Sequence, residues 1–226
     1  MSKALENYIK KSHEASVKER KHIEYDNIHV LIKDSLSDDF DIDYVFNKIV
    51  TLIPDYLLNN IDTVYIGQFE EFIEREINAM YKDGALYTTN MQDNEEDMVD
   101  DIVHEVAHSI EEFAGKDLYD DGRVRNEFLG KRQKLYYLLK EEGYDVNLDE
   151  FLNIIYDKDF DMFLYQDLGY ELVTNVTMGL FLSSYSVTSL REYFAIGFEH
   201  YYLKDRKYIK NISPILFEKL EYISNF

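Results

Sequence analysis

The spacing of hydrophobic and polar positions changes near residue 95, from short mixed runs to helical periodicity that persists to the C-terminus. Before that point, NIHVLI (27–32), TVYIGQ (63–68) and DGALYTT (83–89) are short β-branched or aromatic runs that predict strands, the last fed by a turn at Asp83-Gly84. Between the first two, Tyr44, Val45, Lys48, Ile49 and Leu52 recur at helical spacing, which predicts a helix over 41–53 with Asp41 as N-cap. DYLLNN continues it after a kink at Pro54, and a short helical piece is expected over 69–77. A long helix is expected over 95–114, stopped near Gly115. Further helical patterns cover 125–142, 149–164, 168–182, 190–203 and 214–223. This order predicts an α+β fold with a mixed sheet in the N-terminal half and helices alone in the C-terminal half. Residues 1–22 read as a polar helical arm with one apolar cluster, Ala4, Tyr8 and Ile9, and residues 23–226 as a single domain.

Composition narrows the class. The 226 residues are 46% hydrophobic, with 20 Tyr and 14 Phe, enough for a sizeable core. No apolar run approaches the roughly 20 residues of a membrane span, so no membrane association is expected. The first 25 residues are charged throughout, which predicts no secretory signal and a cytoplasmic protein; a virion or phage-infected cell suits the same composition. Cysteine is absent, so any metal must be held by His, Asp or Glu. A formal net charge of −21 repels phosphate and argues against nucleic acid as a partner.

The chemistry concentrates in DDIVHEVAHSIEEF. His104-Glu105-Val106-Ala107-His108 has the form H-E-x-x-H. On an α-helix, residues i and i+4 leave from one face, which suits two imidazole ligands of one tetrahedral Zn²⁺. Glu105, beside the first ligand, is placed to accept a proton as a water attacks a carbonyl. Ile102, Val103, Val106, Ala107 and Ile110 surround the histidines and predict a largely buried helix, where two imidazoles need partners or a metal.

A third protein ligand is required. Glu111 and Ala114 stand where a metzincin has Gly and His, and no histidine follows His108 until His200, so a glutamate is expected. Two candidates compete. Glu127 lies 19 residues after His108, similar to the thermolysin-like pattern, but Lys131 one turn away would bring a cation toward the metal. Glu192 lies 84 residues after His108, on an apolar helix with Tyr193, Phe194, Ala195 and Phe198.

The segment SSYSVTSLREYFAIGF resembles the third-ligand region of the metalloproteases related to anthrax lethal factor and the Pro-Pro endopeptidases. The likeness lies in a Tyr seven residues before a Glu that opens an aromatic-rich helix, here Tyr185 and the EYFA run at Glu192 to Ala195. The resemblance implies a zincin-like metallopeptidase domain of the gluzincin kind, with Glu192 as third zinc ligand and Tyr185 donating to the developing oxyanion. The gap before Glu192 is longer than the family's, so a helical insertion is expected over about 115–182. Zinc peptidases of this layout bind an extended substrate on the sheet edge before the histidine helix, which makes 83–89 the expected docking strand.

The expected activity is therefore zinc-dependent endopeptidase action on a peptide or protein, with Glu105 as general base, Tyr185 at the oxyanion, and His104, His108 and Glu192 on Zn²⁺. A catalytically inactive zincin-fold protein that binds a partner, and an acidic interaction protein without metal, are the alternatives. His200, two turns beyond Glu192 on the same helix face, reads as a structural residue, with a hydrogen-bonded role near the site as the alternative; His13, His22 and His29 have no local partners and carry no role.

Overall fold

The computed structural model describes residues 21–25 and 27–225. The N-terminal arm, up to residue 20, lies outside the described residues. The chain forms two compact units, one ending at Ser109 and the other beginning at Ile110.

The first unit is built on a five-stranded mixed sheet of order β1-β2-β3-β5-β4. Its strands are β1 (Lys21–Tyr25), β2 (Ile28–Ile32), β3 (Thr63–Ile66), β4 (Ala79–Lys82) and β5 (Ala85–Thr88). β2, β3 and β5 run parallel, and β1 and β4 pair antiparallel at the two edges. Strict alternation buries Val30, Ile32, Val64, Ile66, Leu86 and Thr88 on one face. The other face carries Leu31, Tyr65 and Tyr87 in one cross-strand row, with the two tyrosine rings stacked 5.0 Å apart.

The parallel pair β2–β3 needs a crossover, supplied by α1 (Ile42–Leu52) and a single turn, α2 (Asp55–Leu58). Asp41 caps α1 as expected, its carboxylate accepting from the Tyr44 N–H. Val45, Phe46 and Ile49 form the buried stripe of α1. A short helix α3 (Glu70–Arg75) precedes a hairpin in which Asp83 and Gly84 both take positive φ, +52° and +79°. That two-residue turn matches the strand twist and is why Asp-Gly stands there.

The long helix α4 (Glu95–Tyr119) crosses the division between the units. Asn94 starts it, its side-chain oxygen accepting from the Asp97 N–H at 3.0 Å. Glu95, Glu96 and Asp97 then put three acids in the first turn, against the positive end of the helix dipole. α4 does not stop at Gly115, because Leu118, fully buried one turn further on, supplies an apolar anchor.

The second unit is helical. It contains α5 (Arg123–Glu141), α6 (Leu148–Leu152), α7 (Lys158–Met162) with a π-helical continuation over Phe163–Gly169, α8 (Tyr170–Thr177), α9 (Leu190–Leu203), α10 (Arg206–Ile212) and α11 (Pro214–Ile223). The single helix expected over 149–164 is two short ones. Asn153 ends the first, and Asp157 starts the second by accepting from the Asp159 and Phe160 N–H groups. Arg132, 1% exposed, sits 4.1 Å from the Phe160 ring centroid and donates to the carbonyls of Glu150 and Asn153 at the end of α6. No helix among the described residues is long and apolar enough to cross a membrane.

α9 and α11 approach closely at Gly197, where a Cβ would stand 2.3 Å from Leu216 Cδ2 and 3.1 Å from its Cγ. Gly130 of α5 has nothing within 4 Å of the same point. Gly197→Ala is expected to cost about 1–3 kcal/mol by overpacking. Gly130→Ala should add about 0.5–1 kcal/mol through helix propensity. Urea denaturation of both variants measures the contrast, and equal midpoints would refute it.

Candidate metal centre

α4 brings His104, Glu105 and His108 together. Their ligand atoms all lie within 4.8 Å of one another, and they form the one such group of three or more His, Asp or Glu side chains among the described residues. The imidazole rings are 4.8 Å apart between centroids and nearly perpendicular, at 80°. His108 and Glu105 are each 8% exposed, and Met98, Val99, Ile102, Val103, Val106 and Ala107 fill the apolar side of the helix. Two imidazoles and a carboxylate, borderline and hard donors on one turn of a rigid helix, are a donor set that zinc accepts.

Glu105 is held from outside its helix. The main-chain N–H of Tyr81, on β4, donates to Glu105 Oε2 at 2.6 Å. Tyr81 lies outside the elements expected from the sequence, which place no strand over 79–82. The missed signal is AMYK-DG-ALYT, a Asp-Gly turn between two short runs, which is a hairpin pattern. The strand 83–89, expected to receive substrate, is not an edge: β5 is paired on both sides, by β3 and by β4. Among the described residues the edge on that side of the sheet is β4.

The second unit holds the remaining candidates. Glu127, on α5, accepts from Tyr193 Oη at 2.9 Å and from the N–H groups of Ile215 and Leu216 at 2.9 and 3.1 Å. Both of its oxygens are thus spent on α9 and on the first turn of α11, where the helix leaves N–H groups without partners of its own. Lys131, one turn on, donates to Ile212 O and Ser213 Oγ at 2.8 Å each and lies over the rings of Tyr193 and Phe181. Glu127 and Lys131 therefore form a structural knot.

Glu192 is in the first turn of α9, its N–H capped by Ser189 Oγ at 3.1 Å. Its neighbour Arg191 pairs with Glu111 of α4 at 3.0 Å, and Glu111 also accepts from Tyr119 Oη at 2.5 Å. Burial and that carboxylate push the Tyr119 phenol well above its ordinary pKa. Tyr185 opens a single 3₁₀ turn, Tyr185–Val187, and is 37% exposed. It lines a small recess with Asp161, Leu164, Tyr165 and Val173, so residues of the expected insertion surround it.

His200 faces Tyr208 at 5.9 Å between centroids. His22 and His29, expected to lack local partners, meet across β1 and β2, Nε2 to Nδ1 at 3.2 Å. His13 lies outside the described residues. No protein-family profile matches the chain, and neither the curated proteins nor the solved structures give a significant match.

Burial lowers the Lys131 ammonium from 10.5 to about 8. The unfolded chain then holds that proton more tightly than the folded one, so raising the pH from 8 favours folding. The gain is expected below pH 10, where the buried Tyr193 phenol, itself pushed upward by burial, begins to oppose it. Urea stability measured from pH 7 to 9.5 should climb in the wild type and stay flat in Lys131→Met; a flat wild-type profile would contradict this account.

Proposed function

We propose that the protein is a zinc-dependent endopeptidase of the gluzincin kind with a zincin-like fold. One observation carries the reading: His104, Glu105 and His108 converge on one turn of a buried helix, with their ligand atoms within 4.8 Å. His104 and His108 hold the metal, and Glu192 is the third ligand. Bound there, zinc supplies a Lewis acid and acidifies a water into the neutral range. Glu105 takes the proton from the attacking water and returns it to the leaving amine. The Tyr185 phenol donates to the oxygen on which negative charge develops.

Two contacts support Glu192 over Glu127. All three strong donors around Glu127 are structural, so recruiting its carboxylate to a metal would strip the first turn of α11 and take away the acceptor of the Tyr193 hydroxyl. The Arg191–Glu111 pair ties the start of α9, where Glu192 stands, to the C-terminal part of α4. An extended peptide adds to the open edge of β4, which runs past Glu105.

Glu105→Gln is expected to keep a full equivalent of zinc and to lose hydrolysis of a fluorogenic peptide library by at least about 10²-fold. Surviving activity would remove Glu105 as the base, and zinc without hydrolysis in the wild type would leave a binding module. Glu192→Ala should lose zinc, measured by atomic absorption after dialysis. Glu127→Ala should keep zinc and lose about 2–4 kcal/mol of stability instead; the reverse pattern would exchange the two assignments. Tyr185→Phe should slow turnover with metal content unchanged, and equal turnover would exclude the phenol from the reaction.

A further inference from the structure

The hairpin geometry fixes which main-chain groups of β4 face outward. Lys82 and Ala85 flank the two-residue turn, and at the other end Thr89 N–H donates to Asn78 O at 2.8 Å. In an antiparallel ladder bonded and non-bonded pairs alternate, so Met80 and Lys82 bond inward to β5. Ala79 and Tyr81 turn their N–H and C=O groups to the open edge. Among the described residues no strand lies beyond β4 to receive the Tyr81 N–H. Glu105 Oε2 receives it, at a distance typical of a charge-assisted bond.

We infer that the main-chain N–H of Tyr81 is a positioning group for Glu105 and sets where along β4 a peptide is cut. The inference rests on the reading of Glu105 as the base. Anchoring Oε2 stops the carboxylate from rotating and leaves Oε1 as the oxygen that moves the proton. The same bond consumes one of the donors that a peptide on this edge would otherwise use. A peptide laid along β4 pairs through the N–H and C=O of Ala79, and its ladder stops at Tyr81. The scissile bond is the one that comes level with that stop, beside Glu105. The side chain of residue 81 is not part of the device.

Amide hydrogen exchange on the metal-free full-length protein reads the contact without any activity assay. The Tyr81 amide is expected to exchange about 10–100-fold faster in Glu105→Ala than in the wild type, as befits loss of one bond to a charged acceptor. Met80 and Lys82, bonded to β5, should keep their rates. Tyr81→Ala, which keeps the N–H, should retain the protection at position 81. Tyr81→Pro removes the donor at an outward-facing edge position that tolerates proline. It should bind zinc at the wild-type stoichiometry and turn over the peptide library about 10–100-fold more slowly, the usual cost of a misplaced catalytic group. A Tyr81 exchange rate indifferent to Glu105, or unchanged turnover in Tyr81→Pro, overturns the inference even where hydrolysis depends on Glu105. Glu105-dependent protection with Glu105-independent hydrolysis overturns it from the other side, by removing the base it was to position.

Discussion

The 3.6-residue repeat of α4 decides where the polar groups of the first unit go. Because the apolar stripe of Val99, Ile102, Val103, Val106 and Ala107 must face the core, His104 and His108 are carried together onto an adjoining face, and Glu105 is turned about 100° from the first of them. A carboxylate at 8% exposure needs a hydrogen-bond donor. The sheet supplies one from its last strand. The edge position of β4 is thus coupled to the helix: an inner strand would have no spare N–H at Tyr81 to give.

The second unit shows what buried charge costs and how the chain offsets it. Arg132 and Lys131 are neighbours on α5, both withdrawn from solvent, and each is surrounded by aromatic faces and carbonyl oxygens. Arg132 collects the loose carbonyls at the end of α6, and Lys131 those before α11. Glu127 collects the N–H groups that begin α11. One helix therefore satisfies the ends of three others, those of α6 and α10 and the start of α11, which is why short helices that bury little surface of their own keep fixed positions in that unit.

Legibility in the sequence followed the strength of local signals. α9 and α11 fall where their periodicity puts them, residue for residue, because Ser189 and Pro214 mark sharp starts and the apolar positions are dense. Asp41 was readable as a cap for the same reason. β1 was not, since KHIEY has only Ile23 and Tyr25 as apolar positions and gains its identity from pairing with β2. Gly115 read as a stop because glycine is a common terminator, yet tertiary burial of Leu118 outweighs the roughly 1 kcal/mol that an internal glycine costs. At the centre on α4, spacing alone located His104, Glu105 and His108. It could not reveal Tyr81, because a main-chain donor carries no signature in its side chain. Lys131 was a visible warning against Glu127, and the contacts around both residues explain it.

A strand edge that accepts a peptide is open to any other strand, including the same edge on another copy of the chain. β4 answers that hazard in three ways already visible in its four residues. It is short, it ends on Lys82, whose charge is held at the surface by Glu71, and one of its outward donors is occupied by Glu105. A long extended partner therefore finds too few bonds to zip along it, whereas a brief segment loses little. The geometry proposed to restrict cleavage to a local stretch of peptide also limits pairing of the same edge with another strand.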